Sequence, residues 1–128
     1  MNRLLAASAL LLGLAHAPYC SAEDLQKHPD VLSVEVRANG ANRFDFDVTI
    51  SSPYDTPQRY ADGFRVSGTD GRNYGERKLL HDHATEQPFT RDLYDVDIPA
   101  GIRAVRVQAR DQQYGYGGKT VEVALPGR

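Results

Sequence analysis

From residue 31 onward the apolar positions of this chain recur every second residue. That period is the mark of half-buried strands. In RFDFDVTI, residues 43–50, Phe44, Phe46, Val48 and Ile50 point one way and Asp45, Asp47 and Thr49 the other. LSVEVRA (32–38) repeats the pattern with Leu32, Val34, Val36 and Ala38, as do AVRVQAR (104–110) with Val105, Val107 and Ala109 and TVEVAL (120–125) with Val121, Val123 and Leu125. Past the first 22 residues no window places apolar residues three and four apart, so no helix is expected there. Turn residues separate the runs: Asn39-Gly40-Ala41-Asn42, Asp70-Gly71 and Pro99-Ala100-Gly101. Seven strands follow, at 31–38, 43–51, 61–67, 73–80, 89–98, 103–111 and 119–125. In the fifth, Phe89 and Leu93 keep one phase and Val96 and Ile98 the other, which predicts a bulge near Tyr94-Asp95.

Seven short strands with turns every eight to twelve residues predict an all-β fold, a single seven-stranded antiparallel immunoglobulin-like sandwich over 31–126. The segment AVRVQARDQQYGYGGKTVEVALP, 104–126, resembles the last two strands of a fibronectin type III domain, a V-x-V-x-A strand, a polar glycine-bearing loop and a V-x-V strand. The chain departs from that family in having no Trp for the early core position and Arg103 where the family places its corner tyrosine. The GERKLLHDH…EQPFTR…GYGG sequence is also similar to small exported bacterial proteins of unassigned function.

Strand parity places the connections. If each strand reverses direction, turns 39–42, 68–72 and 99–102 fall at one pole, here the lower. Connections 52–60 (SPYDTPQRY), 81–88 (HDHATEQP) and 112–118 (QQYGYGG) fall at the other. The lower turns are short; the upper loops are long and rich in Tyr, His, Pro and Gly. Recognition loops commonly cluster at one end of such a rigid scaffold.

The first 22 residues have a different character. A basic start (Met1-Asn2-Arg3), an apolar run from Leu4 to Ala15 too short to span a bilayer, and a small polar stretch give the layout of a signal peptide over 1–22. Cleavage is expected after Ala22; a cut after Ala17 would expose Pro18, and Tyr19 is too bulky beside a lipid-bearing Cys20. Residues 23–30 read as a flexible lead-in. Loss of 1–22 removes the only Cys and the only Met and moves the net charge from −2 to −3. An exported chain without thiols forms no disulfide and must be held by its apolar core. Thiolate chemistry is excluded, the mild negative charge without a basic stripe argues against nucleic acid, and no other apolar run approaches membrane length.

Three chemistries remain for the upper loops. His81 and His83, two apart on an extended chain, point the same way, and Glu86 offers an oxygen; these are the candidate ligands for Cu(II) or Zn(II). A firm site wants three or four protein ligands, so the set is incomplete, even with help from Tyr114 or Asp111. A hydrolase would need a Ser, His and carboxylate together, and no nucleophile-elbow pattern is present, so no enzyme is expected. Tyr54, Tyr60, Tyr114 and Tyr116 could form an aromatic, hydrogen-bonding contact surface; alternatively a ring such as Tyr60 or Tyr74 turns inward to seal the core. Asp45 and Asp47 read as a solvated face opposite Arg37. The expectation is a non-enzymatic binding module, exported to the periplasm or beyond, meeting a protein or glycan through loops 52–60, 81–88 and 112–118. The alternative is a divalent-metal protein centred on His81 and His83.

Overall fold

The computed structural model describes Gly13 and residues 26–128. Apart from Gly13, the signal peptide expected over 1–22 and the start of the lead-in lie outside the described residues. The strands are β1 (Asp30–Ala38), β2 (Arg43–Ser51), β3 (Ala61–Ser67), β4 (Asn73–Lys78), β5 (Phe89–Asp97), β6 (Ala104–Asp111) and β7 (Gly115–Ala124). All neighbours are antiparallel, in a three-stranded sheet of order β1-β2-β5 and a four-stranded sheet of order β4-β3-β6-β7. Among the described residues there is no helix, and none long and apolar enough to cross a membrane.

The alternating positions fill the space between the sheets. Phe44, Phe46, Val48 and Ile50 from β2 meet Phe64 and Val66 from β3, Phe89 and Val96 from β5, and Val105, Val107 and Ala109 from β6. Phe46, Phe64 and Phe89 are fully enclosed, and burial of each such ring stabilises the fold by roughly 1.5–3 kcal/mol. The opposite faces of the strands are polar: Arg37 lies 2.7 Å from Asp47, as expected of a solvated face.

The bulge expected in the fifth strand is present. Phe44 pairs with Val96 but Phe46 with Leu93, so two residues of β5 oppose one of β2, and Asp95 takes φ 60°. The Asp95 amide donates to the Asp45 carboxylate at 2.8 Å, which satisfies the group that the bulge removes from the ladder. Strand ends differ from expectation by one to four residues, and three differences bear on the site. A register shift between Val31 and Ser33 in β1 turns Val31 inward and leaves Leu32 exposed, so Leu32 does not share the buried phase. β4 ends at Lys78, although the Leu79 amide still donates to the Asp62 carbonyl and the Leu79 side chain is buried. β7 begins at Gly115, so the last upper loop is 112–114 and not 112–118.

Candidate functional site

The three upper loops meet at one pole, as parity requires, and two buried carboxylates hold them together. Asp111 ends β6. Val105, Val107, Ala109 and Asp111 share one phase, so the carboxylate continues the inward face and is fully buried. It accepts hydrogen bonds from the Tyr54 hydroxyl at 2.6 Å, from the Gln113 and Tyr114 amides at 2.8 Å each, and from Arg59 Nε at 3.3 Å. Burial alone would raise this carboxyl; the four donors outweigh it and hold the group below the usual carboxylate range. The Tyr54 phenol is pushed well above its ordinary value, first by burial and then by its bond to Asp111. The Arg59 guanidinium carbon sits 4.1 Å from the Tyr54 ring centroid and 4.9 Å from that of Tyr114, so the cation is held by two rings and one carboxylate.

Asp55 forms the second node. Its Oδ1 accepts from the Ala61 amide at 3.0 Å and its Oδ2 from the His83 amide at 3.1 Å, tying loop 52–60 to loop 79–88. The His83 ring is buried and stacked on Phe89, with centroids 3.8 Å apart and planes 8° from parallel. Its Nδ1 is 3.6 Å from Asp55 Oδ2, beyond hydrogen-bond reach, and has no other partner among the described residues. Burial, with Arg91 nearby, holds the imidazole below its ordinary value of 6.5, and burial raises the Asp55 carboxyl against its two backbone donors. Gln87 completes the junction: it accepts from the Ser52 amide at 2.7 Å and donates to Ser52 Oγ and the His83 carbonyl. Ser52, Asp55 and His83 thus lie together, but the Ser52 hydroxyl is fully enclosed. That arrangement closes a core and offers no accessible nucleophile.

The glycines of GYGG have a different use from the one expected. Gly117 and Gly118 lie in β7, beside the described end of the lead-in. A Cβ on Gly117 would run into the His28 ring, and one on Gly118 into the Pro29 carbonyl. The lead-in is held along residues 26–30: the Gln26 carbonyl accepts from Arg59 at 2.7 Å, and Asp30 accepts from the Lys119 amide at 2.8 Å.

The four tyrosines divide into two pairs. Tyr54 and Tyr114 flank Arg59 at the pole, Tyr54 half-buried and Tyr114 46% exposed. Tyr116 belongs to β7, where it lies over the Arg65 guanidinium at 3.9 Å and donates to Glu76 at 3.1 Å on the outer face of the four-stranded sheet. Tyr60 lines the same face at the cleft described below. Of the candidate ligands, the rings of His81 and His83 are 5.1 Å apart, while Glu86 is turned to Arg91 at 2.9 Å. Among the described residues no group of three or more His, Cys, Asp or Glu is placed to hold a metal ion. In the sequence Asp55 reads as a loop residue and Asp111 as the last residue of a strand; the unbroken phase from Val105 to Asp111 is the signal that marks an inward acid.

No protein-family model matches the chain, and no curated protein matches it. Among solved structures, the crystal structure of a DUF3823 family protein from Bacteroides ovatus ATCC 8483 is similar at 20% identity, over 77% of this chain and 56% of that one, with a TM-score of 0.44. The chain therefore spans little more than half the length of that protein.

Proposed function

We propose that this chain is an exported, non-enzymatic binding module of the immunoglobulin-like, fibronectin type III-like kind, which meets a protein or glycan partner in the periplasm through its upper pole. Two buried carboxylates carry this proposal. Asp55 and Asp111 each join loop 52–60 to a neighbouring loop and fix it through backbone amides. Burying two acids is costly, and a sandwich can close an end with short turns, as the lower pole does. Loops fixed in this way present Pro57, Gln58, His81 and Tyr114 to solvent with little ordering left to be lost on association. The division into β1-β2-β5 and β4-β3-β6-β7 supports the fibronectin-like assignment, and the leader-like first 22 residues support export. The enclosure of Ser52 beside Asp55 and His83 favours a binding role over hydrolysis.

Site-directed photo-crosslinking in cells tests this. A photoreactive residue at Gln58 or Tyr114 is expected to give a discrete adduct, and one at Asp70 or Ala100 on the lower pole none. Adducts from the lower pole alone, or from neither pole, would overturn the assignment.

A further inference from the structure

Below the upper pole, on the outer face of the four-stranded sheet, a cleft of about 480 Å³ lies between the end of β4 and the paired ends of β3 and β6. Its size falls within the roughly 300–1,000 Å³ of small-molecule sites. Tyr60, Asp62, Glu76, Lys78, Arg110 and Tyr116 line it, with Leu80 at its wall.

Three kinds of group converge there. The first is a cation. Arg110 is paired with Asp62 and Arg77 with Asp92, so among the described residues the exposed Lys78 ammonium is the cleft's unpaired cation. The second is a set of acceptors. Asp62 Oδ1 is buried and has no hydrogen-bond donor among the described residues, an unfavourable state unless a ligand or solvent supplies one, and Glu76 takes one donor from Tyr116 while remaining exposed. The third is apolar surface: the Tyr60 ring, whose hydroxyl makes only a long 3.4 Å contact with the Leu80 carbonyl, and the Leu80 side chain, 82% exposed.

We propose that this cleft is a subsite for an acidic sugar, a uronic acid unit of an oligosaccharide. The carboxylate would pair with Lys78, ring hydroxyls would donate to Asp62 Oδ1 and Glu76, and an apolar sugar face would lie on Tyr60. Other ligand classes use only part of this set. A phosphate offers at most two hydroxyl donors and no apolar face for Tyr60, and its higher charge is repelled more strongly by the two acids. A neutral sugar leaves Lys78 unused. An acidic peptide supplies the anion but no cluster of hydroxyl donors. The cleft takes Tyr60, Leu79 and Leu80 from the upper loops, but Pro57, Gln58, His81 and Tyr114, which the pole presents, do not line it, so either proposal can fail without the other.

The test is an amide-resonance titration of the labelled protein with trigalacturonate, with a glucuronate-bearing trisaccharide, with the neutral maltotriose and with inorganic phosphate. Saturable shifts are expected for at least one acidic sugar, confined to Asp62, Gly63, Glu76 to Leu80, Arg110 and Tyr116. Maltotriose should bind about tenfold more weakly or not at all, as should phosphate, and Lys78→Ala should weaken the acidic sugar about tenfold. Because Lys78 is exposed, its removal should leave the melting temperature unchanged; Tyr60→Leu should weaken acidic and neutral sugars alike. The proposal is overturned by an absence of saturable shifts, by shifts centred elsewhere, by equal binding of maltotriose or phosphate, or by undiminished binding to the Lys78→Ala variant.

Discussion

At the upper pole two carboxylates accept hydrogen bonds from four backbone amides, those of Ala61, His83, Gln113 and Tyr114. At the lower pole one guanidinium does the reverse. Arg128 donates to the carbonyls of Pro99, Ile98 and Ile102 and to Asn42 Oδ1 at 2.5–2.9 Å. The lower turns otherwise close on their own backbone, as in the bonds from the Asn39 amide to the Arg43 carbonyl and from Gly68 to Arg72. Short turns satisfy themselves, and a half-exposed cation only ties them together. The upper loops are too long for that, and their amides reach acids sunk into the core. Charge buried at one end and exposed at the other makes the two poles unequal in rigidity, in cost and in response to pH.

The largest expected effect follows from Asp111. Asp111→Ala leaves the Tyr54 hydroxyl, Arg59 and two amides without their acceptor, and should cost about 3–5 kcal/mol. Urea denaturation measures it, and a loss below about 1 kcal/mol would contradict the central role of this carboxylate. Acid should next separate the poles. Native His83 is held below 6.5 by burial and by Arg91, while His81 also lowers it and Asp55 and Glu86 act against. The unfolded chain takes its proton near 6.5, so stability should fall as pH drops below that value, until the folded ring also protonates. Asp55 runs the other way. Its folded carboxyl is raised above 3.8, so folding takes up a proton there and offsets part of the loss at lower pH. Stability should therefore be measurably lower at pH 5.5 than at pH 7.5. His83→Phe should flatten the profile, and a wild-type profile already flat would refute the assignment. The smallest effect belongs to the lower pole. Arg128→Ala should cost only about 1–2 kcal/mol, with the same value at both pH values because guanidinium does not titrate there.

Most of the scaffold was legible in the sequence because period two is imposed directly by the pleat. The fifth-strand bulge could be read from the change of phase between Leu93 and Val96. The bulge in β1 could not, since Val31 and Leu32 are both apolar and either phase fits the pattern. Residues 115–118 look like loop by composition, yet they pair with the end of β6, and Gly117 and Gly118 stand where His28 and Pro29 pass too close for side chains, a long-range fact that local pattern does not carry. Parity gathered the upper loops correctly, but residue type alone could not tell a solvated Asp from a buried one. The candidate surface was therefore located while its internal framework was not. Tyr54 and Tyr114 are joined through Arg59, and Tyr116 departs to the sheet face.

Amide hydrogen exchange compares the poles most directly. If the buried carboxylates make the upper loops one rigid platform, the amides of His83, Gln113 and Tyr114 should exchange only through unfolding that approaches the global transition, far more slowly than those of Thr69 and Asp70 in the lower turn. Exchange of His83, Gln113 and Tyr114 as fast as in that turn would show loops that move freely, and the platform would not exist.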